Sequence, residues 1–179
     1  MIPISPPGGP ASPTFEQPFD MLHACHERVH RMLRLLGRLR EHVRTHGADQ
    51  QARDAARDVM RYFDQAAPQH HLDEERHVFP ALDALADPTL RATVERLRAD
   101  HRAMESGWAA ARQVLSALQQ GSLAGLDEAQ EASLERFAAL YQDHIRLEEG
   151  MAFPAASAAL DAPAQRAMGE EMMRRRGAG

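Results

Sequence analysis

Four long stretches of the chain place apolar residues at alternating spacings of three and four, the pattern of helices that each bury one stripe in a bundle. In the first, residues 19–46, the stripe runs Leu22, Cys25, Val29, Met32, Leu36, Leu39 and Val43. The third, residues 88–120, reads Leu90, Val94, Leu97, His101, Met104, Trp108, Ala111, Leu115 and Leu118, so a histidine stands where an apolar side chain is expected. The second (50–86) carries Met60, Phe63, Ala67, His70, Glu74, Val78 and Ala81, and the fourth (126–160) carries Leu134, Phe137, Tyr141, His144, Glu148, Met151 and Ala155. Both put a His and a Glu four apart at the centre of the face they must bury. Strand signals are missing.

Breakers separate these stretches. Gly47 offers a left-handed stop and Asp49 a cap for the next helix, while Asp87-Pro88 and Asp161-Ala162-Pro163 have the cap-then-proline order of helix starts. Pro68, Pro80 and Pro154 fall inside helices and are expected to kink them. The division is a flexible Pro-rich leader over 1–18, an all-α four-helix bundle over 19–160, and a short C-terminal helix and tail over 161–179. The three arginines Arg174 to Arg176 read as a solvated helix end.

At 179 residues the chain suits one domain with one core. A formal charge of −5 gives no pull toward nucleic acid or an anionic membrane. The lone Cys25 excludes an internal disulfide and makes a reducing compartment the default, its thiol reading as a small core group. The leader has six prolines and no basic start before an apolar run, unlike a secretory signal. No stretch approaches the roughly 20 apolar residues of a membrane helix, so a cytoplasmic protein is expected.

Histidine is abundant, with ten in the chain. Chance placement of these among fourteen glutamates predicts fewer than one His-x3-Glu pair, yet there are five: His23/Glu27, His70/Glu74, His71/Glu75, His101/Glu105 and His144/Glu148. Such a pair projects both side chains onto one helical face, so pairs on several helices can converge. His70, Glu74, His101, His144 and Glu148 lie near their stripe centres, and on the first helix His26 lies closest, at the stripe's edge. Two unpaired carboxylates in a core cost several kcal/mol each unless cations compensate. Six mixed imidazole and carboxylate ligands exceed a tetrahedral structural zinc site and suit iron or manganese as well as zinc. If both Glu bridge and a solvent oxygen also bridges, as an oxo or hydroxo group, an octahedral pair keeps roughly two open positions for a small ligand.

The strings CHERVHRML, HHLDEERHVFPAL and HIRLEEGMAFP, with one His on helices one and three and His-x3-Glu on helices two and four, resemble the bacterial branch of the hemerythrin-like, or HHE cation-binding, family over residues 19–160. The resemblance implies an up-and-down four-helix bundle around a non-haem di-iron centre held by His26, His70, Glu74, His101, His144 and Glu148. Glu105 stands where the invertebrate oxygen carriers of that family have a further His, which disfavours simple reversible oxygen carriage. His30, His71, Glu105 and Tyr141 are the residues that could complete the set or support it.

The expected ligand is a small diatomic or peroxide. Three functions follow: sensing of oxygen or nitric oxide, enzymatic turnover of peroxide or oxygen, and iron storage or buffering. A ferritin-like di-iron oxidase is the structural rival, because Glu27-x-x-His30 and Glu74-x-x-His77 have its spacing, but it leaves His70, His101 and His144 without a task. Among the remaining residues, His71 and Glu75 read as supporting or solvated groups, His77 as a contact near the core, His42 and His46 as surface groups at a helix end, and Trp108 and the stripe methionines as core.

Overall fold

The computed structural model describes residues 14–177, which are all-α with no strand among them. Residues 1–13 of the expected leader lie outside the described residues. The elements are α1 (Pro18–His46), α2 (Gln50–Asp73), α3 (Phe79–Asp83), α4 (Pro88–Gln119), α5 (Glu128–Leu147), α6 (Phe153–Ala159) and α7 (Ala162–Arg175). Helix α1 packs on α2, α2 on α4, α4 on α5 and α5 back on α1, closing a four-helix ring. The connections are too short for anything but antiparallel neighbours, which gives the up-and-down order.

The ends form where local chemistry directs them. Asp49, Asp87, Asp127 and Asp161 each accept a hydrogen bond from a first-turn backbone N–H, and Asp127 with Gln130 completes a reciprocal capping box. Gly47 stops α1 with φ of 79°, although its ψ of −176° is extended and not left-handed helical.

Pro80 and Pro154 do more than kink their helices. Each is preceded by a π-helical turn, Glu74–Val78 and Glu148–Ala152, in which Phe79 N–H reaches back five residues to the Glu74 carbonyl and Phe153 N–H to that of Glu148. A proline ring clashes with the carbonyl four residues earlier, and a widened turn relieves the clash. The extra residue advances the buried stripe by one position. Val78, Phe79 and Leu82 are buried after Glu74, and Ala152, Phe153 and Ala156 after Glu148. Ala81, Met151 and Ala155, expected in the stripe, are displaced from it, and Met151 is 36% exposed.

The core has two apolar halves. One runs from Val29, Ala67, Met104 and Ile145 toward the α1–α2 connection, and the other gathers Leu22, Val78, Leu97, Ala152 and Met168 at the opposite end. Between them, on every bundle helix, lies a polar residue of the layer His26, His70, Glu74, His101, His144 and Glu148, all buried.

Helix α7 covers the second half. Met168 and Met172 enter that core, and Gly169 lies so close to Phe15 that a Cβ there would stand 1.8 Å from the Phe15 carbonyl oxygen. Arg174 is exposed as expected, but the two arginines after it are not free in solvent. Arg175 and Arg176 donate to the two oxygens of Asp73, at 2.7 and 2.5 Å, and that carboxylate is wholly buried.

Candidate metal centre

The two Glu side chains lie side by side across the middle of the bundle, each turning its oxygens toward different histidines. Glu74 Oε1 is 3.0 Å from His70 Nε2 and 3.9 Å from His26 Nε2, while its Oε2 is 3.3 Å from His101 Nε2. Glu148 mirrors it, with Oε2 3.1 Å from His26 Nε2 and Oε1 3.1 Å from His144 Nε2 and 3.9 Å from His101 Nε2. Two overlapping four-residue groups result, His26/His70/Glu74/Glu148 and His101/His144/Glu74/Glu148, each with one ligand atom per residue inside a 4.8 Å span. Both carboxylates belong to both groups. The six expected residues therefore come together, from four helices, as two compartments that share two bridges.

These atoms approach without bonding to one another. Both oxygens of Glu74, both of Glu148, and the inward Nε2 atoms of His26, His101 and His144 have no hydrogen-bond partner, although Glu74 and Glu148 are 0% exposed. Native interiors leave few such groups orphaned, because each costs its full desolvation. Burial opposes charge on Glu74, but His70 and His101 hold its carboxyl well below the usual range. Burial likewise opposes protonation of His70 and His101, and Glu74 prevails and raises both. Two buried carboxylates aimed at one point, with the inward nitrogens of four imidazoles around them, form a donor set that fits a pair of cations.

The sequence profile of the family described as the hemerythrin HHE cation-binding domain matches residues 17–156. The chain belongs to this family. An uncharacterized protein of Haemophilus influenzae is 33% identical over 163 residues, spanning 91% of this chain and 92% of the relative. Membership accounts for cation binding at a His and Glu layer inside a helical bundle.

Outside this hemerythrin-like layer the structure shows partners that sequence reasoning missed or left open. Glu149 accepts from His26 Nδ1 at 2.9 Å, and Glu75 accepts from His101 Nδ1 at 2.9 Å. Both directly follow a buried Glu, so the repeated doublets Glu74-Glu75 and Glu148-Glu149 each supply one inward and one outward carboxylate. A carboxylate on the far nitrogen fixes which nitrogen faces inward and makes it a stronger donor to a cation. Asp100 approaches His144 Nδ1 at 3.5 Å in the same sense. The rings are also wedged by aromatic contacts, His26 stacking on Phe153 at 5.2 Å between centroids.

The four supporting residues expected from sequence separate into two kinds. His71 stacks on His101 at 4.1 Å between centroids and forms a further group with His101 and His144. Burial and the neighbouring His101 push its imidazole well below the ordinary value, which keeps it neutral and able to donate a lone pair. Tyr141 is buried beside the layer, and burial raises its hydroxyl pKa, keeping it protonated. His30 is only half-buried and Glu105 is exposed, and neither joins a metal-sized group among the described residues. The ferritin-like spacing fails for the same reason, since Glu27 points to solvent and His77 is engaged by Glu171 at 2.8 Å. Trp108 is half-buried, not core, and donates to Asp64 at 3.0 Å.

Proposed function

We propose that the chain is a non-haem di-iron protein that reacts with oxygen, peroxide or nitric oxide, and that its work is peroxide removal or redox sensing. The observation that supports this most is the pair of buried, unpartnered carboxylates that each turn one oxygen to each pair of histidines. In this reading His26 and His70 would hold one ion and His101 and His144 the other, with Glu74 and Glu148 available to both. A bound iron pair supplies single-electron steps and coordination positions open to a small ligand.

The rest is done by the chain. Glu74 and Glu148 would set anionic oxygens against both cations. Glu75 and Glu149 hold the His101 and His26 rings in position, and the apolar layers on either side keep bulk water away. A cleft between α2 and α4 reaches His71 and His101 and offers a route to the layer. An opening on the His101 side favours reaction with a ligand arriving from solvent.

Metal analysis of the purified protein tests this reading. About two irons per chain are expected, and stoichiometric zinc alone contradicts redox chemistry. Hydrogen peroxide added to the reduced protein then divides the two roles. Sustained oxygen evolution marks turnover, whereas a single lasting change in the near-ultraviolet bands marks sensing.

A further inference from the structure

The cleft between α2 and α4 has a volume of about 490 Å³. That lies in the range of pockets for organic ligands, roughly 300–1,000 Å³, and far exceeds what a diatomic molecule or hydrogen peroxide needs. Its walls are apolar, formed by Phe63, Ala67, Leu72, Met104 and Trp108. At its mouth Arg98 and Arg102 are balanced by Glu75 and Glu105, with Arg98 held by Asp83 at 3.2 Å and Glu75 by His101. The formal charges cancel, so nothing there selects an ion. Tyr141 and His101 bring polar atoms to the lining. Tyr141 is only 3% exposed, and its hydroxyl, which is not among the fully buried polar atoms lacking a partner, can turn its O–H to an acceptor in the cleft.

We propose that this cleft binds an uncharged organic molecule with an apolar body and one oxygen-bearing end, the chemistry of an alkyl or aryl hydroperoxide. The body lies against Phe63, Met104 and Trp108, and the oxygen end meets Tyr141 and His101. This inference rests on the peroxide reading above and narrows it to organic peroxides.

Trp108 is the chain's single tryptophan, so its emission reports the cleft. Metal-loaded protein is titrated with 2-phenyl-2-propanol, the inert alcohol corresponding to cumyl hydroperoxide. A saturable change in emission is expected. Tyr141→Phe weakens it about tenfold, the worth of one hydrogen bond. Ala67→Phe fills the cleft, abolishes the change and, with ascorbate added as the two-electron reductant that turns the hydroperoxide into alcohol and water, slows consumption of cumyl hydroperoxide, while iron content stays as in the parent. Leu72→Phe, on the half-buried wall, serves the same purpose if Ala67→Phe does not fold. A change that rises linearly without saturation, survives both filling variants, or is matched more tightly by benzoate overturns the inference. Iron content of the same preparations keeps the two readings apart. Iron present without alcohol binding overturns the organic-peroxide inference alone, and alcohol binding without iron overturns the peroxide reading beneath it.

Discussion

Glu149 and Glu75 are each more than 40% exposed, at 41% and 43%, yet each fixes a buried histidine. Glu149→Ala and Glu75→Ala are expected to lower metal affinity about 10- to 100-fold with little change in fold, measured by competition with a chromophoric chelator. Unchanged affinity in both would reduce these contacts to surface pairing. The inward carboxylates behave differently. Replacing Glu74 and Glu148 together by Leu should abolish metal uptake and stabilise the metal-free protein by about 1–4 kcal/mol, because no charge then remains buried without a partner. A lower melting temperature for that metal-free variant would show that the carboxylates are satisfied in some other way. Five of the six inward residues were legible in the sequence because each breaks the apolar stripe of its helix, and His26 because it stands at the edge of the first helix's stripe. Glu149 was not, since an outward glutamate looks like any solvated one. The signal that was available is the Glu-Glu doublet, which occurs in both halves of the internal repeat.

At the scale of elements, the long helices and their caps could be read from periodicity and from Asp and Gly placement, and the π-helical turns could not. A fixed 100° per residue carries the stripe to Met151 and Ala155, whereas one inserted residue carries it to Ala152, Phe153 and Ala156. The Phe-Pro pair after each Glu is the trace of that insertion. The anchoring of α7 was equally hidden, because Asp73 and Arg175 are 102 residues apart. Arg175→Ala with Arg176→Ala leaves the Asp73 carboxylate buried and unpaired, a loss of about 3 kcal/mol expected in denaturant unfolding, and adding Asp73→Asn should recover most of it. A double variant as stable as the parent would show that α7 is held by Met168 and Met172 alone.

The same anchor is sensitive to acid. Arg175, against the opposing effect of burial and with help from His77, holds the Glu171 carboxyl far below its usual 4.5. A depressed carboxyl contributes stability that is fully present above the usual value and is lost as pH falls through the native one. The gap in melting temperature between the parent and Glu171→Gln should therefore be constant near neutrality and close below about pH 4.5. A gap that widens on acidification contradicts the pairing.

Over the whole molecule, the polar layer separates two apolar halves, so cation binding and global stability are linked. Anything that binds the folded state and not the unfolded one raises the melting temperature, and metal removal by a chelator under reducing conditions should lower it cooperatively. The central claim is narrower, that Glu74 and Glu148 are shared by two ions. Anomalous diffraction at the iron edge, on crystals of the purified protein, tests it most directly. Two peaks roughly 3.5–4 Å apart are expected, one beside His26 and His70 and one beside His101 and His144. A single peak, or density outside this layer, would contradict it.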